Sequence, residues 1–156
     1  MGAGLGHPEN NVYIFDPTRS WNDQTPEIIP PPADSPNEFV VNSWSPDGSR
    51  LAGQVGLAAH GIMVYSLQSR VFERFTDFGG YPIWLPDGRR VMFVAGGRDF
   101  HVVDTRTRKV EKVFSVQRDI VGPPQLTRDG REAYFSRRVT EGDIWLLTLP
   151  QSKPTP

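Results

Sequence analysis

The sequence predicts an all-β fold, a β-propeller arc of four-stranded antiparallel blades, and three observations carry that prediction. The stretch Trp44-Ser45-Pro46-Asp47-Gly48-Ser49-Arg50-Leu51-Ala52 returns as Trp84-Leu85-Pro86-Asp87-Gly88-Arg89-Arg90-Val91-Met92, and more loosely as Leu126-Thr127-Arg128-Asp129-Gly130-Arg131-Glu132-Ala133-Tyr134. The Asp-Gly pairs of these copies stand 40 and then 42 residues apart, a spacing at which a chain is built of repeated units. A further apolar strand starts 14, 12 and 14 residues after the turn glycines, at Ile62, Phe100 and Ile144. The repeat therefore has internal structure, and four strands per unit of this length make a propeller blade.

Each copy reads strand, tight turn, strand. Proline presets φ at the second turn position, aspartate accepts hydrogen bonds from its own backbone, and glycine takes the positive φ that closes the turn. Thr127-Arg128-Asp129-Gly130 lacks the proline, which that position tolerates. The three aspartates are thus expected to recur because turns use them.

Taken in order, residues 1–10 read as a disordered N-terminal end, with neither the basic stretch nor the apolar core of a signal peptide. Residues 11–29 read as a partial blade. Val12 falls in register with Ile62, Phe100 and Ile144, and Thr25–Ile29 is the outer strand, where Pro26 is tolerated at an edge. Pro30–Pro36 is a stiff spacer. Residues 38–76 form a blade with strands at Glu38–Trp44, Arg50–Val55, Ile62–Leu67 and Val71–Phe75. Residues 81–115 form the next, with strands at Tyr81–Trp84, Val91–Ala95, Phe100–Thr105 and Val110–Phe114. Residues 123–149 form a blade lacking its outer strand, with strands at Pro124–Leu126, Glu132–Ser136 and Asp143–Leu149. Residues 150–156, rich in proline, read as a disordered tail.

That inventory is about three and a quarter blades and does not close a ring. Either a longer chain supplies the missing outer strand from its N-terminal end, or Thr25–Ile29 pairs within this chain and strands Val12–Phe15. The first arrangement is preferred, making the chain the C-terminal part of a larger propeller. An open arc exposes blade faces and strand edges, so self-association or missing blades are expected to cover them.

The Trp-Ser-Pro-Asp-Gly-Ser-Arg-Leu-Ala pattern, followed by Ile62-Met63-Val64-Tyr65-Ser66-Leu67, resembles the TolB-type, WD-like propeller repeat over roughly residues 11–149. Such repeats occur in the periplasmic TolB protein, in sensor regions of bacterial serine/threonine kinases and in the propeller domains of prolyl-oligopeptidase-type peptidases. The resemblance implies the fold and leaves function open. In the peptidases an α/β-hydrolase domain follows the propeller. Because the sequence stops at Pro156, a kinase-like or TolB-like arrangement is expected ahead of a peptidase. Localisation stays open between periplasm and cytoplasm.

Composition narrows the chemistry. There is no cysteine, hence no disulfide framework or thiol site. No apolar run approaches the length of a membrane span, so no membrane insertion by this chain is expected. The net charge of −1 hides an asymmetry: residues 1–78 hold 4 Lys/Arg against 9 Asp/Glu, and residues 79–156 hold 13 against 9. No aromatic-interleaved basic motif accompanies the basic half, so arginines on solvated turns are the expected reading and nucleic acid is not expected as a partner.

No catalytic signature emerges. A Gly-x-Ser-x-Gly elbow is absent, and His7, His60 and His101 are scattered. His60 is read as a solvated loop residue and His101 as a packed strand residue. Metal-ligand spacings are missing, and neither Gly79-Gly80 nor Gly96-Gly97 opens a helix as a phosphate loop would. No catalytic, cofactor-binding or metal residues are therefore assigned. Trp44, Trp84 and Trp145, with Phe15, Phe93 and Phe135, are expected between blades as core. The functional expectation is a non-enzyme scaffold, non-catalytic, that binds a protein, peptide or small ligand through inter-blade loops at His60, Gly79, Gly80, Tyr81, Arg118, Asp119, Arg137 and Arg138. The alternative is the propeller or sensor portion of a larger enzyme, such as a bacterial serine/threonine kinase or a prolyl-oligopeptidase-like peptidase.

Overall fold

The computed structural model describes residues 11–33 and 39–139. These residues are all β apart from one 3-10 turn, Trp21–Asp23. The partial blade is a two-stranded sheet of β1 (Val12–Ile14) and β2 (Glu27–Ile29). The next blade is β3 (Phe39–Trp44), β4 (Arg50–Val55), β5 (Ile62–Ser66) and β6 (Val71–Arg74), paired antiparallel in sequence order. The blade after it is β7 (Gly80–Trp84), β8 (Arg90–Ala95), β9 (Asp99–Asp104) and β10 (Val110–Ser115), with the same order.

The last described hairpin comprises β11 (Ile120–Val121), β12 (Gln125–Leu126), β13 (Ala133–Tyr134) and β14 (Arg137–Arg138), where β12 pairs β13 and β11 pairs β14. Together they are one interrupted strand pair. Pro123 and Pro124 carry no N–H and break the ladder between its halves. The strand expected at Asp143–Leu149 lies outside the described residues, as do Glu38, Trp145 and both chain ends.

The middle strands show why the blades stack. In β4 every residue from Leu51 to Val55 is buried, and in β5 every residue from Ile62 to Tyr65. A sheet covered on one face alternates in burial; continuous burial means cover on both faces. Three apolar clusters fill the spaces between successive sheets. Ile29, Phe39, Leu51, Val55, Met63 and Tyr65 pack with Val12 and Ile14 of the partial blade. Ala52, Ile62, Val64, Trp84, Val91, Phe93 and Val103 fill the next space. Met92, Val94, Phe100 and Val121 fill the third, with Leu126 and Phe135 against them.

The turns behave as expected and also do something the sequence did not predict. Gly48, Gly88 and Gly130 have φ of 71°, 62° and 67°. Asp47 accepts from the Ser45 hydroxyl (2.5 Å) and the Ser49 N–H (3.1 Å), and Asp129 accepts from the Thr127 hydroxyl (2.7 Å) and the Arg131 N–H (3.2 Å). The Ser45 and Thr127 hydroxyls each accept in turn from the backbone N–H five residues on, Arg50 and Glu132. The unforeseen part is contact between turns of adjacent blades. Gly88 lies near the Pro46 ring, and a Cβ at Gly130 would run into the Pro86 ring. Each proline serves its own turn and also seats the next.

Two expectations about the core are corrected. Trp84 is buried, but Trp44 is 47% exposed and Phe15 52% exposed. Trp84 has a full blade on its preceding side, where the Arg50 guanidinium lies 4.4 Å from its ring centroid. Among the described residues Trp44 faces β1 of the partial blade, in a cleft shared with Val12, Tyr13, Ile14, Phe15, Val41 and Leu51. The repeat equates the two tryptophans, while cover from the preceding unit separates them.

Candidate functional site

Antiparallel order sends alternate connections to opposite ends of the blades. The Asp-Gly turns occupy one end. The β4–β5, β6–β7, β8–β9 and β10–β11 connections share the other, and the residues expected as contacts gather there at two equivalent seams.

At the first seam, His60 bridges Gly79 in parallel register, and the Gly61 N–H donates to the Gly79 carbonyl at 3.2 Å. The His60 side chain is exposed while its carbonyl accepts from the Arg74 guanidinium at 2.6 Å. Gly80 is buried, and a Cβ there would stand 2.5 Å from the Ala59 Cβ and 2.7 Å from the Gln54 Oε1. Tyr81 lies in the inner strand, as its expected bounds have it, and β7 begins one residue earlier, so that Gly80 is a strand residue and not part of the loop ahead. Tyr81 is 36% exposed and has φ of 55°. Its N–H donates to the Gln54 Oε1 at 2.8 Å, and the Gln54 amide nitrogen donates to the Gly56 carbonyl at 3.1 Å. Gln54 is 3% exposed, so a buried carboxamide crosses from one blade to the next with both ends satisfied.

At the second seam, the Val121 N–H donates to the Gly97 carbonyl at 2.8 Å. Arg118 is exposed with φ of 72°. Asp119 is buried, and its carboxylate lies 2.5 Å from the Arg137 Nε. This pair holds β11 to β14, and Asp119 is not a free loop contact. Arg137 and Arg138 are strand residues paired with Val121 and Ile120, which corrects their reading as loop positions. The miss has a local cause: two consecutive arginines look like a solvated turn, and nothing in the sequence marks Asp119 as a buried partner.

The inner strands share a feature that sequence reasoning missed. Register slips between Val41 and Ser43 in β3, and between Gly80 and Ile83 in β7. The interruption at Pro123 and Pro124 falls at the same place in the last hairpin. Asn42, Pro82 and Pro124 occupy equivalent positions, each two residues before the residue that opens the turn motif. The signal was available in the spacing of the two prolines, since a bulged position donates no ladder hydrogen bond.

His101 is packed, stacked on Phe93 at 5.4 Å and edge-on to Phe78 at 5.6 Å, with its Nδ1 buried and without a hydrogen-bond partner among the described residues. Among the described residues no group of three or more His, Asp or Glu comes together. A groove of about 600 Å³ runs instead beside the turns of the β7–β10 blade. Its carboxylates are committed: Asp104 to Arg89 at 2.5 Å, Asp87 to Arg90 at 2.6 Å, and Glu111 to Lys109. The Arg89 guanidinium and the Thr107 N–H hold the Asp104 carboxyl well below the usual carboxylate range.

No known protein-family model matches the chain. Its sequence is similar to Dipeptidyl-peptidase 5 of Porphyromonas gingivalis, 26% identical over 133 residues that cover 71% of this chain and 19% of that enzyme. The chain thus spans about a fifth of the curated relative it matches. Among solved structures it is similar to an oligogalacturonate lyase in complex with manganese, with a TM-score of 0.50, 17% identity, and coverage of 64% of this chain and 32% of that one. It is also similar to an acylaminoacyl peptidase of Pyrococcus horikoshii, with a TM-score of 0.49 and 15% identity over 76% of this chain and 26% of that one. The β-propeller domain of the Trilobed protease from Pyrococcus furiosus matches with a TM-score of 0.46 and 14% identity over 74% of this chain and 42% of that domain.

The sequence similarity to a dipeptidyl-peptidase corrects the reading of the chain as a non-enzyme. The preference for a kinase-like or TolB-like arrangement rested on the position of the last residue, which says nothing about a longer polypeptide. The described blades are those of a β-propeller.

Proposed function

We infer that this chain is the propeller portion of a peptidase, and that the blade end bearing His60, Gly79, Gly80, Tyr81 and Arg118 faces the catalytic domain and the peptide it receives. The observation that carries this reading is the similarity to a dipeptidyl-peptidase along most of the repeat region. The division of labour fits the residues. The described blades hold packed or solvated histidines and no assembled nucleophile and base, so the chemistry falls to a separate domain, as in the prolyl-oligopeptidase-type enzymes that the repeat resembles.

The partner on this reading is a peptide and the catalytic domain itself. The basic second half supports that choice over nucleic acid. Arg89, Arg90, Arg108, Lys109, Lys112, Arg131 and Arg137 each lie against a carboxylate, so much of the positive charge is used within the molecule.

The natural polypeptide containing these residues tests the reading when treated with a serine-directed fluorophosphonate probe and weighed intact. A labelled product much heavier than 17.5 kDa is expected. A full-length product that takes no label would overturn the assignment.

A further inference from the structure

We propose that Tyr81 is a peptide-contacting residue of the propeller mouth and that Gln54 is its positioning residue; the inference rests on the peptidase reading above. Five non-glycine residues have positive φ among those described: Ala59, Arg70, Tyr81, Arg108 and Arg118. Four of them lie in turns or connections, where the left-handed conformation closes a loop. Tyr81 alone sits inside a strand.

The bulge does not require that conformation. Val41 and Pro123 hold the equivalent place in the other two inner strands, and neither has positive φ. Where a bulge does use a left-handed residue, glycine is the default occupant. Here a bulky aromatic side chain takes the place, directly after the two glycines Gly79 and Gly80.

The surroundings fix it there. The buried Gln54 carboxamide accepts the Tyr81 N–H at 2.8 Å, a bond between blades that the second seam lacks, since Val94 stands at the position equivalent to Gln54 and Pro123 at that of Tyr81. Gly80 closes against Ala59 and Gln54, and the Pro82 ring is fully buried behind. The phenol hydroxyl nevertheless makes no hydrogen bond and the ring no aromatic contact among the described residues. Strain held by neighbours around an uncommitted polar aromatic group is the pattern of a ligand contact. The ring and hydroxyl suit a peptide: the face packs on an apolar side chain, and the hydroxyl bonds to a backbone carbonyl or amide. His60, seated beside Gly79, lies on the same seam.

The test is steady-state peptide hydrolysis by the full-length polypeptide carrying Tyr81→Phe, Tyr81→Gly or Gln54→Met, with a thermal melt of each. Tyr81→Gly, which removes ring and strain together, is expected to raise KM about tenfold with kcat within about threefold. Tyr81→Phe is expected to show a smaller rise, and Gln54→Met a KM rise in active, folded enzyme. A merely structural Gln54 would lower the melting temperature and leave KM alone. Unchanged KM in folded Tyr81→Gly overturns this inference and leaves the peptidase reading intact. Absence of peptidase activity in the wild-type polypeptide overturns both.

Discussion

At the scale of single residues, the turn aspartates make the clearest predictions. The Asp47 carboxyl is held down to about 2, first by the Ser45 hydroxyl and then by the Ser49 N–H and hydroxyl. A carboxylate whose folded pKa lies below its unfolded value contributes stability that is present above the ordinary range near pH 4 and lost as pH falls toward 2. Asp47→Asn is therefore expected to lower the melting temperature at neutral pH and to converge on wild type in acid. Parallel losses at every pH would contradict the assignment.

The turn glycines offer an internal control. Gly48 and Gly130 share a turn type and nearly the same φ, but a Cβ at Gly48 meets open space while one at Gly130 meets the Pro86 ring. Gly48→Ala is expected to cost about 1 kcal/mol for the left-handed conformation alone. Gly130→Ala is expected to cost roughly 1–3 kcal/mol more, through overpacking against the neighbouring blade. Equal losses in denaturant melts would show that the turns do not stack.

The turn chemistry was legible because the reason for each residue is local. Pro46, Asp47 and Gly48 each answer to their own turn, so the motif announced itself. The roles of Ser43, Gln54, Asp119 and Arg137 answer to partners 18 to 41 residues away, and no local pattern encodes them.

At the scale of elements, the inner strands set the geometry of the seams. The Ser43 hydroxyl donates to the Pro82 carbonyl at 3.1 Å and accepts from the Trp84 N–H at 3.1 Å, stitching β3 to β7 across their bulges. Ser43→Ala leaves both backbone groups unpaired beside a buried tryptophan and is expected to cost about 1–3 kcal/mol. Trp84→Ala is expected to cost about 3–5 kcal/mol, as for a large buried aromatic. Trp44→Ala is expected to cost much less in this chain, because half of that ring is already exposed. Equal losses at the two tryptophans would contradict the packing of the partial blade. The strand pattern was readable from the sequence, including the outer strand at Glu27–Ile29, because period and turn spacing fix it. The burial difference was not, because it depends on how much blade precedes Trp44.

At the scale of the whole molecule, the described blades form an arc with apolar surface at its start, where Tyr13, Phe15 and Trp44 are exposed together. A cleft of that kind is expected to draw the isolated 156-residue chain into self-association. Sedimentation velocity is expected to show association that Trp44→Arg reduces. The fold was legible at this scale because the repeat is its own evidence. Function was not, because the fold hosts many chemistries and the residues that choose among them need not lie on the blades.

The most direct measurement is hydrolysis of dipeptidyl p-nitroanilides of varied sequence by the natural polypeptide that carries these residues. The peptidase assignment requires turnover of at least one such substrate, abolished by a serine-directed inhibitor. A folded, full-length polypeptide that cleaves none of them would contradict it.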